Sequence, residues 1–100
     1  MTENVHTDAR EISFQQLLDR LAPGTRLTVV FYSMLGEECR RHRIVTSVGD
    51  NVVRLRTGPS ENEAIVEIVY APGRRIFALT DGFLLVFDSG ITTRYYWGHV

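Results

Sequence analysis

Cysteine and histidine offer the most reactive side chains in this chain of 100 residues, and there are only four of them. Cys39 and His42 form a C-x₂-H pair with two arginines between them. Neighbouring cations favour a cysteine thiolate, so the pair could act as a nucleophile and its base. A zinc site needs at least three protein ligands, and His6 and His99 do not stand at motif spacing from the pair. We therefore expect no catalysis, no metal and no cofactor.

Arginine carries the charge pattern of the chain. All 11 basic residues are arginine, 12 residues are acidic, and the formal net charge is −1. This balance argues against a strong overall attraction to nucleic acid or to a membrane surface. Residues 40–57, however, hold five arginines and one aspartate, a local charge of +4 between two acidic flanks. This segment is the main candidate for a binding surface.

The turn expected in this segment predicts how its arginines are arranged. If Gly49-Asp50 is a two-residue hairpin loop, Ile44 faces Leu55 on an apolar side of the sheet, and Arg43 faces Arg56 on the solvated side. By alternation, the solvated side holds four candidate partner-binding residues: Arg41, Arg43, Arg54 and Arg56. Such a cluster could bind the phosphates of a nucleic acid. The simpler interpretation, which we favour, is an ordinary charged face.

Acidic residues further along the chain could neutralise that charged face. A loop from Gly58 to Glu63 sets Arg54 opposite Glu67 and Leu55 opposite Val66. Glu63 and Glu67 are then the expected counter-ions of the arginines.

The second candidate for a binding surface is the run Arg94-Tyr95-Tyr96-Trp97, which combines an arginine with three aromatic residues. Alternation in a strand sends Tyr95 and Trp97 to one face, where we expect core packing, and Arg94 and Tyr96 to the other. Arginine and aromatic residues are enriched in binding hot spots, and aromatic rings also stack on bases. Arg94 and Tyr96 therefore complete the set of candidate partner-binding residues.

The elements that must position these residues begin with a short helix. Ser13 is the expected N-cap, Gln16 completes a capping box, and Pro23-Gly24 ends the helix. A helix this short needs a sheet on which to dock its apolar stripe, which consists of Phe14, Leu17, Leu18 and Leu21. Residues 1–10 lack periodicity and are expected to be a flexible tail, so that residues 11–100 form a single β-rich domain.

After the helix, β-branched and aromatic runs predict about seven antiparallel strands with short connections. The strands are expected at residues 27–34, 41–48, 51–57, 64–70, 75–80, 83–87 and 91–97. Strands joined this closely form a meander. We therefore predict a mainly β fold of the α+β type, with one short N-terminal helix and a small barrel or sandwich.

The hairpin expected around Asp81-Gly82 is apolar on both faces. One face carries Ile76, Ala78, Phe83 and Leu85, and the other carries Phe77, Leu79, Leu84 and Val86. In a sheet with one solvent-exposed side, one apolar face of this hairpin would be exposed to water. Both faces therefore have to be covered by other parts of the protein. The helix can cover one face, and barrel closure, a second sheet or the second subunit of a homodimer can cover the other.

Part of the chain resembles the opening of an Sm-like domain. The likeness runs from Phe14 to Arg56: a short helix, a strand with RLTVVFYS, a bend at Leu35-Gly36, and IVTSVGDNVVRLR over two strands. The bent second strand lacks the usual mid-strand glycine, and an apolar-rich segment follows where that family closes after two short strands. The resemblance implies a small open barrel that assembles into rings and binds RNA.

Two functions remain open. We expect a non-catalytic protein-binding module, an adaptor, inhibitor or subunit of an assembly, that uses a β-sheet surface to bind another protein. The alternative is a nucleic-acid-binding small β-barrel, Sm-like or OB-like, that uses the arginine-lined strand face. The single cysteine excludes an internal disulfide and favours a cytoplasmic location, and no apolar run is long enough to span a membrane.

Overall fold

The computed structural model describes residues 9–57 and 65–100, and this part of the chain is mainly β-structure. Eight strands form one antiparallel sheet in the order β1-β6-β7-β8-β2-β3-β4-β5, and a short helix, α1 (Phe14–Leu18), follows the first strand. The strands are β1 (Arg10–Ile12), β2 (Arg26–Tyr32), β3 (Glu38–Gly49), β4 (Val52–Arg56), β5 (Ile65–Val69), β6 (Arg75–Leu79), β7 (Gly82–Val86) and β8 (Thr92–Trp97).

The predicted mainly β, antiparallel fold is confirmed, with one strand more than the seven expected. The additional strand is β1, which pairs with β6. Arg10 thus belongs to the sheet, although the lack of periodicity placed it in the tail. Residues 1–8 of that tail, with His6, lie outside the described residues, as does the loop expected at 58–63. Strands β2 to β5 and β6 to β8 are two meanders, which the pairing of β8 with β2 joins.

The helix α1 forms where the capping signals predict it. The Ser13 hydroxyl accepts a hydrogen bond from the Gln16 amide (3.1 Å), and the Gln16 side-chain carbonyl accepts one from the Ser13 amide (2.8 Å). The helix is shorter than its apolar stripe, because after Leu18 the chain continues with i→i+3 hydrogen bonds, although Leu21 is still buried. Within residues 9–57 and 65–100, no helix has the length and apolar character needed to cross a membrane.

The sheet is strongly curved, because a short connection joins β5 and β6 although six strand spacings separate them in the sheet order. In a flat sheet these spacings would place the two strands roughly 29 Å apart. The connection contains a turn closed by the Arg74 amide and the Ala71 carbonyl (3.2 Å), so it spans much less. The ring of Phe14, just after β1, lies 5.8 Å from that of Tyr70, just after β5.

The curved sheet does not close in the part of the chain that the structure describes. No strand pairing joins its edge strands β1 and β5, so the expected barrel or sandwich is not confirmed. The concave side, which we call the core face, packs against α1 and encloses one apolar cluster with residues from all eight strands. Leu17 of the helix is fully buried there together with Leu27, Val45, Leu55 and Phe83 of the sheet. The convex side is called the outer face below.

The β6–β7 hairpin has the predicted division into two faces, but its two-residue loop is Thr80-Asp81, one residue earlier than expected, so Phe83 lies opposite Ala78 and Leu84 opposite Phe77. Phe83 and Ala78 are buried on the core face. Phe77 and Leu84 are half-buried on the outer face, where the Arg75 guanidinium lies 5.0 Å from the Phe77 ring. The core cluster thus covers one apolar face of the hairpin. The long side chain of Arg75 partly shields the other face from solvent.

Candidate functional site

The register predicted for β3 and β4 is wrong, and the four arginines of this hairpin do not share a face. Gly49 pairs with Val52, so the turn lies one residue later than expected. A bulge after Val45 then shifts the pairing again, and an extra residue in one strand reverses the alternation of side chains beyond it. As a result, Arg43 lies on the core face and Arg56 on the outer face.

The bulge allows β3 to bury two valines that are three residues apart. Val45 is buried opposite Leu55, and Val48 packs against the core opposite Val53. Regular alternation would send one of these two valines to solvent, so burial of both favours the bulge. On its other side, Leu55 lies opposite Val66 of β5, which confirms the pairing predicted across the 58–63 loop.

Arg54 and Arg56 remain on the outer face. Arg54 lies opposite Glu67, as predicted, and its Nε donates a hydrogen bond to the Glu67 carboxylate at 2.8 Å. The other expected counter-ion, Glu63, lies outside the described residues. The charge of Arg54 is thus already matched within the sheet, as expected for an ordinary charged face.

Arg94 and Tyr96 lie on the outer face of β8, as alternation predicts. Arg94 Nη2 donates to the Asp81 carboxylate at 2.7 Å, and its guanidinium carbon lies 4.5 Å from the centre of the Tyr96 ring. On the core face, Tyr95 is buried and stacks on Phe83 with 4.6 Å between ring centres, which confirms its predicted core packing. Arg94 therefore ties β8 to the β6–β7 turn.

Cys39 and His42 project from opposite faces of β3, so they do not form the nucleophile and base that their spacing allows. The Cys39 thiol donates to the Glu37 carbonyl oxygen at 3.7 Å, and the His42 ring stacks on the His99 ring with 4.3 Å between centres. Across residues 9–57 and 65–100, histidine, cysteine, aspartate and glutamate form no group of three or more that could hold a metal ion.

Part of the core face is open and forms a cleft of about 630 Å³. The length of α1 explains it, because five helical residues span roughly 7.5 Å whereas the seven residues of β2 span roughly 23 Å. The helix fills one part of the concave side and leaves the remainder uncovered. The cleft is lined by Val29, Phe31, Tyr32, Ser33, Met34, Arg43, Val66, Ile91, Thr92, Thr93 and Tyr95.

Apolar side chains also surround the mouth of the cleft. Met34 in the β2–β3 loop is fully exposed, and Ile91 in the β7–β8 loop is 65% exposed. The two loops are neighbours because β2 pairs with β8. Turns usually carry polar residues, so the apolar Met34 directly after Ser33 is the sequence signal that marks this surface.

Arg43 is the one charged residue lining the cleft in the described part of the chain. Burial is the main reason why its pKa is lowered from the ordinary value; Tyr95 opposes this effect and the neighbouring Arg41 adds to it. Arg43 Nη1 donates to the carbonyl oxygen of His42 at 3.0 Å. Burial also raises the pKa of Tyr95 to about 12. The cleft therefore combines a neutral phenol with a partly desolvated positive charge.

The six candidate residues are divided between two surfaces. The core face holds two of them, Arg41 and Arg43, and the outer face holds Arg54, Arg56, Arg94 and Tyr96. A scan of the chain against protein-family models found no match, and neither did searches among curated proteins and solved structures.

Proposed function

We propose that this protein is a non-catalytic protein-binding module, acting as an adaptor, an inhibitor or a subunit of an assembly. Its binding surface is the cleft on the core face together with Met34 and Ile91 at its mouth. The exposure of Met34 and Ile91 beside an open, mostly apolar cleft supports this proposal most strongly. Contiguous exposed apolar surface on a small protein marks interaction sites, and covering it contributes roughly 25 cal/mol per Å².

The occupant that suits this cleft is an extended segment of another protein that carries bulky apolar side chains. Strand β5 lies at one edge of the sheet, and its residue Val66 lines the cleft and is 38% exposed. An edge strand can pair with the backbone of an added segment, and alternate side chains of that segment then project to one side. The cleft volume also falls within the usual range for binding pockets.

Selection from a library of displayed peptides tests this proposal. The wild-type protein serves as bait, and the strongest binder is synthesised and measured by fluorescence anisotropy. The substitution Met34→Asp should weaken its binding by at least about 10-fold, because it places a charge beside the apolar cleft. Leu35→Asp is the matched control: Leu35 is exposed on the same loop but does not line the cleft. Its effect should stay within about twofold.

Two results would show that the proposed surface is wrong. One is that no peptide is enriched over an empty support. The other is that Leu35→Asp weakens binding as much as Met34→Asp while the unfolding curves of both variants match that of the wild type.

The other expectations stay predictions. Binding of nucleic acid through one arginine-lined face requires the four hairpin arginines on a common surface, and they are divided between two faces. A homo-oligomer formed through the apolar outer face of the β6–β7 hairpin is tested by sedimentation velocity. A cytoplasmic location is part of our proposal, because Cys39 is a free thiol.

A further inference from the structure

Arg43 carries a positive charge that no acidic group in the described part of the chain matches. It forms no ion pair with a described residue, and it donates a hydrogen bond to the His42 carbonyl. The other residues that line the cleft are apolar or carry a hydroxyl group. A guanidinium that is partly removed from water without a carboxylate is unfavourable, and an anion that binds there restores the missing interaction.

Most arginines on the outer face, unlike Arg43, have a carboxylate partner. Four of them are paired with a carboxylate at 2.7 to 3.5 Å: Arg40 with Glu38, Arg54 with Glu67, Arg75 with Glu11, and Arg94 with Asp81. On the core face, the unmatched Arg43 stands two residues from Arg41, which also has no acidic partner among the described residues. Arg26 and Arg56 on the outer face also lack an ion pair with a described residue, but Arg43 is the one charged residue of the described chain that lines the cleft.

The sheet geometry determines how far this charge lies from the apolar floor of the cleft. Arg43 lies opposite Leu27, which makes the buried Val29 its diagonal neighbour on β2. Diagonal neighbours in an antiparallel pair are about 7–8 Å apart. Residues i and i+2 of an extended segment are about 7 Å apart and project to the same side. An extended ligand can therefore fill the floor with one side chain and reach Arg43 with the next on that side.

We propose that Arg43 recognises an acidic side chain of the partner, placed two residues from a bulky apolar side chain in an extended segment. The apolar side chain enters the cleft above the core-face residues of β2 and β8, and the aspartate or glutamate accepts two parallel hydrogen bonds from the guanidinium. Arg41 adds positive charge at the edge of the same site. This inference rests on the proposed function, because it specifies the partner chemistry for the same cleft.

A double-mutant cycle tests the pairing. The strongest peptide from the display selection is synthesised with an amidated C terminus, and each of its acidic residues is replaced in turn by the corresponding amide. Binding of these peptides to the wild type and to Arg43→Gln is measured by fluorescence anisotropy. Arg43→Gln and one of the peptide substitutions should each weaken binding by about 10- to 100-fold. Combined, they should weaken it little more than either alone, because both remove the same interaction.

Arg26→Gln is the matched control for the loss of a charge. Arg26 is exposed on the outer face of β2, and it lies outside the cleft. Its substitution should change the affinity by no more than about twofold. Thermal unfolding of both variants verifies that the fold is retained.

The outcomes distinguish this inference from the proposed function. Selected peptides that lack an acidic residue two positions from an apolar one would overturn the inference alone. So would binding that is lost on amidation of the C terminus, or binding that Arg43→Gln leaves unchanged. If no peptide is enriched at all, both the proposed function and the inference that rests on it are contradicted.

Discussion

Tyr95 shows how the burial of one residue creates a pH dependence. Its phenol lines the cleft, and burial raises its pKa to about 12, although Arg43 and Arg74 partly oppose the rise. A tyrosine in the unfolded chain ionises near pH 10. Above about pH 10 the unfolded state therefore releases a proton that the folded state retains until about pH 12. The stability associated with the neutral phenol is complete below pH 10 and is lost as the pH rises through this window.

Comparison of the wild type with Tyr95→Phe measures this effect. By pH 11, the wild type should have lost about 1.4 kcal/mol of unfolding free energy through Tyr95, relative to its value at pH 8. The phenylalanine variant lacks the ionisable group and should not show this loss. Urea unfolding at both pH values provides the two free energies. Parallel losses in the two proteins would mean that Tyr95 ionises as readily in the folded state as in the unfolded one.

Among the elements, β7 and β8 approach each other closely at the residue where β7 begins. A Cβ at Gly82 would overlap the carbonyl oxygen of Tyr95, a backbone group that the strand pairing holds in place. Gly82→Ala should therefore lower the free energy of unfolding by about 3 kcal/mol. Gly49→Ala is the matched control, since its Cβ would only contact the Val52 side chain at 3.8 Å. It should be neutral or stabilising by up to about 1 kcal/mol.

Chemical denaturation of the two glycine variants gives their free energies of unfolding and tests whether the close approach of Gly82 to the Tyr95 carbonyl determines stability. A similar effect at both positions would indicate that the loss of a strand glycine, rather than the contact with Tyr95, determines stability.

The elements also differ in how well the sequence predicts their register. The six-residue loop before β5 correctly places Arg54 opposite Glu67. Asp81-Gly82 correctly predicts a β6–β7 hairpin and its two faces, although the two-residue loop is Thr80-Asp81, one residue earlier. The β3–β4 bulge has no comparable residue signature. It depends on the simultaneous burial of Val45 and Val48 against a core that only the folded sheet provides. Because that bulge decides the face of Arg43, the sequence alone could not predict the proposed binding site.

On the scale of the whole molecule, the cleft arises from a mismatch between a short helix and a curved sheet of eight strands. The apolar fraction of the chain, 44%, does not reveal which part of the sheet stays uncovered. The curvature and the position of β5 at one sheet edge follow from the strand order, which depends on the long-range pairing of β8 with β2. The exposed loop residues at the cleft mouth can be read in the sequence, but their convergence cannot.

The distribution of charge over the whole molecule predicts weak binding to nucleic acid. The formal net charge is −1, and the arginines of the basic segment are divided between two faces. Strong binding to phosphates requires several unmatched cations on one surface, because its driving force is the release of counterions. Fluorescein-labelled single-stranded DNA and RNA of about twenty nucleotides should therefore show no saturable binding at protein concentrations up to the order of 100 µM in 50 mM salt.

Two double variants would identify the face responsible if an oligonucleotide did bind. Arg41→Gln/Arg43→Gln removes the positive charge of the core face, and Arg54→Gln/Arg56→Gln removes the matching number from the outer face. Saturable binding that one pair abolishes, and that decreases steeply as salt is raised, would establish nucleic-acid recognition by that face. Loss with the core-face pair alone would further mean that the cleft accepts phosphates in place of the peptide carboxylate, because both anions would require Arg43.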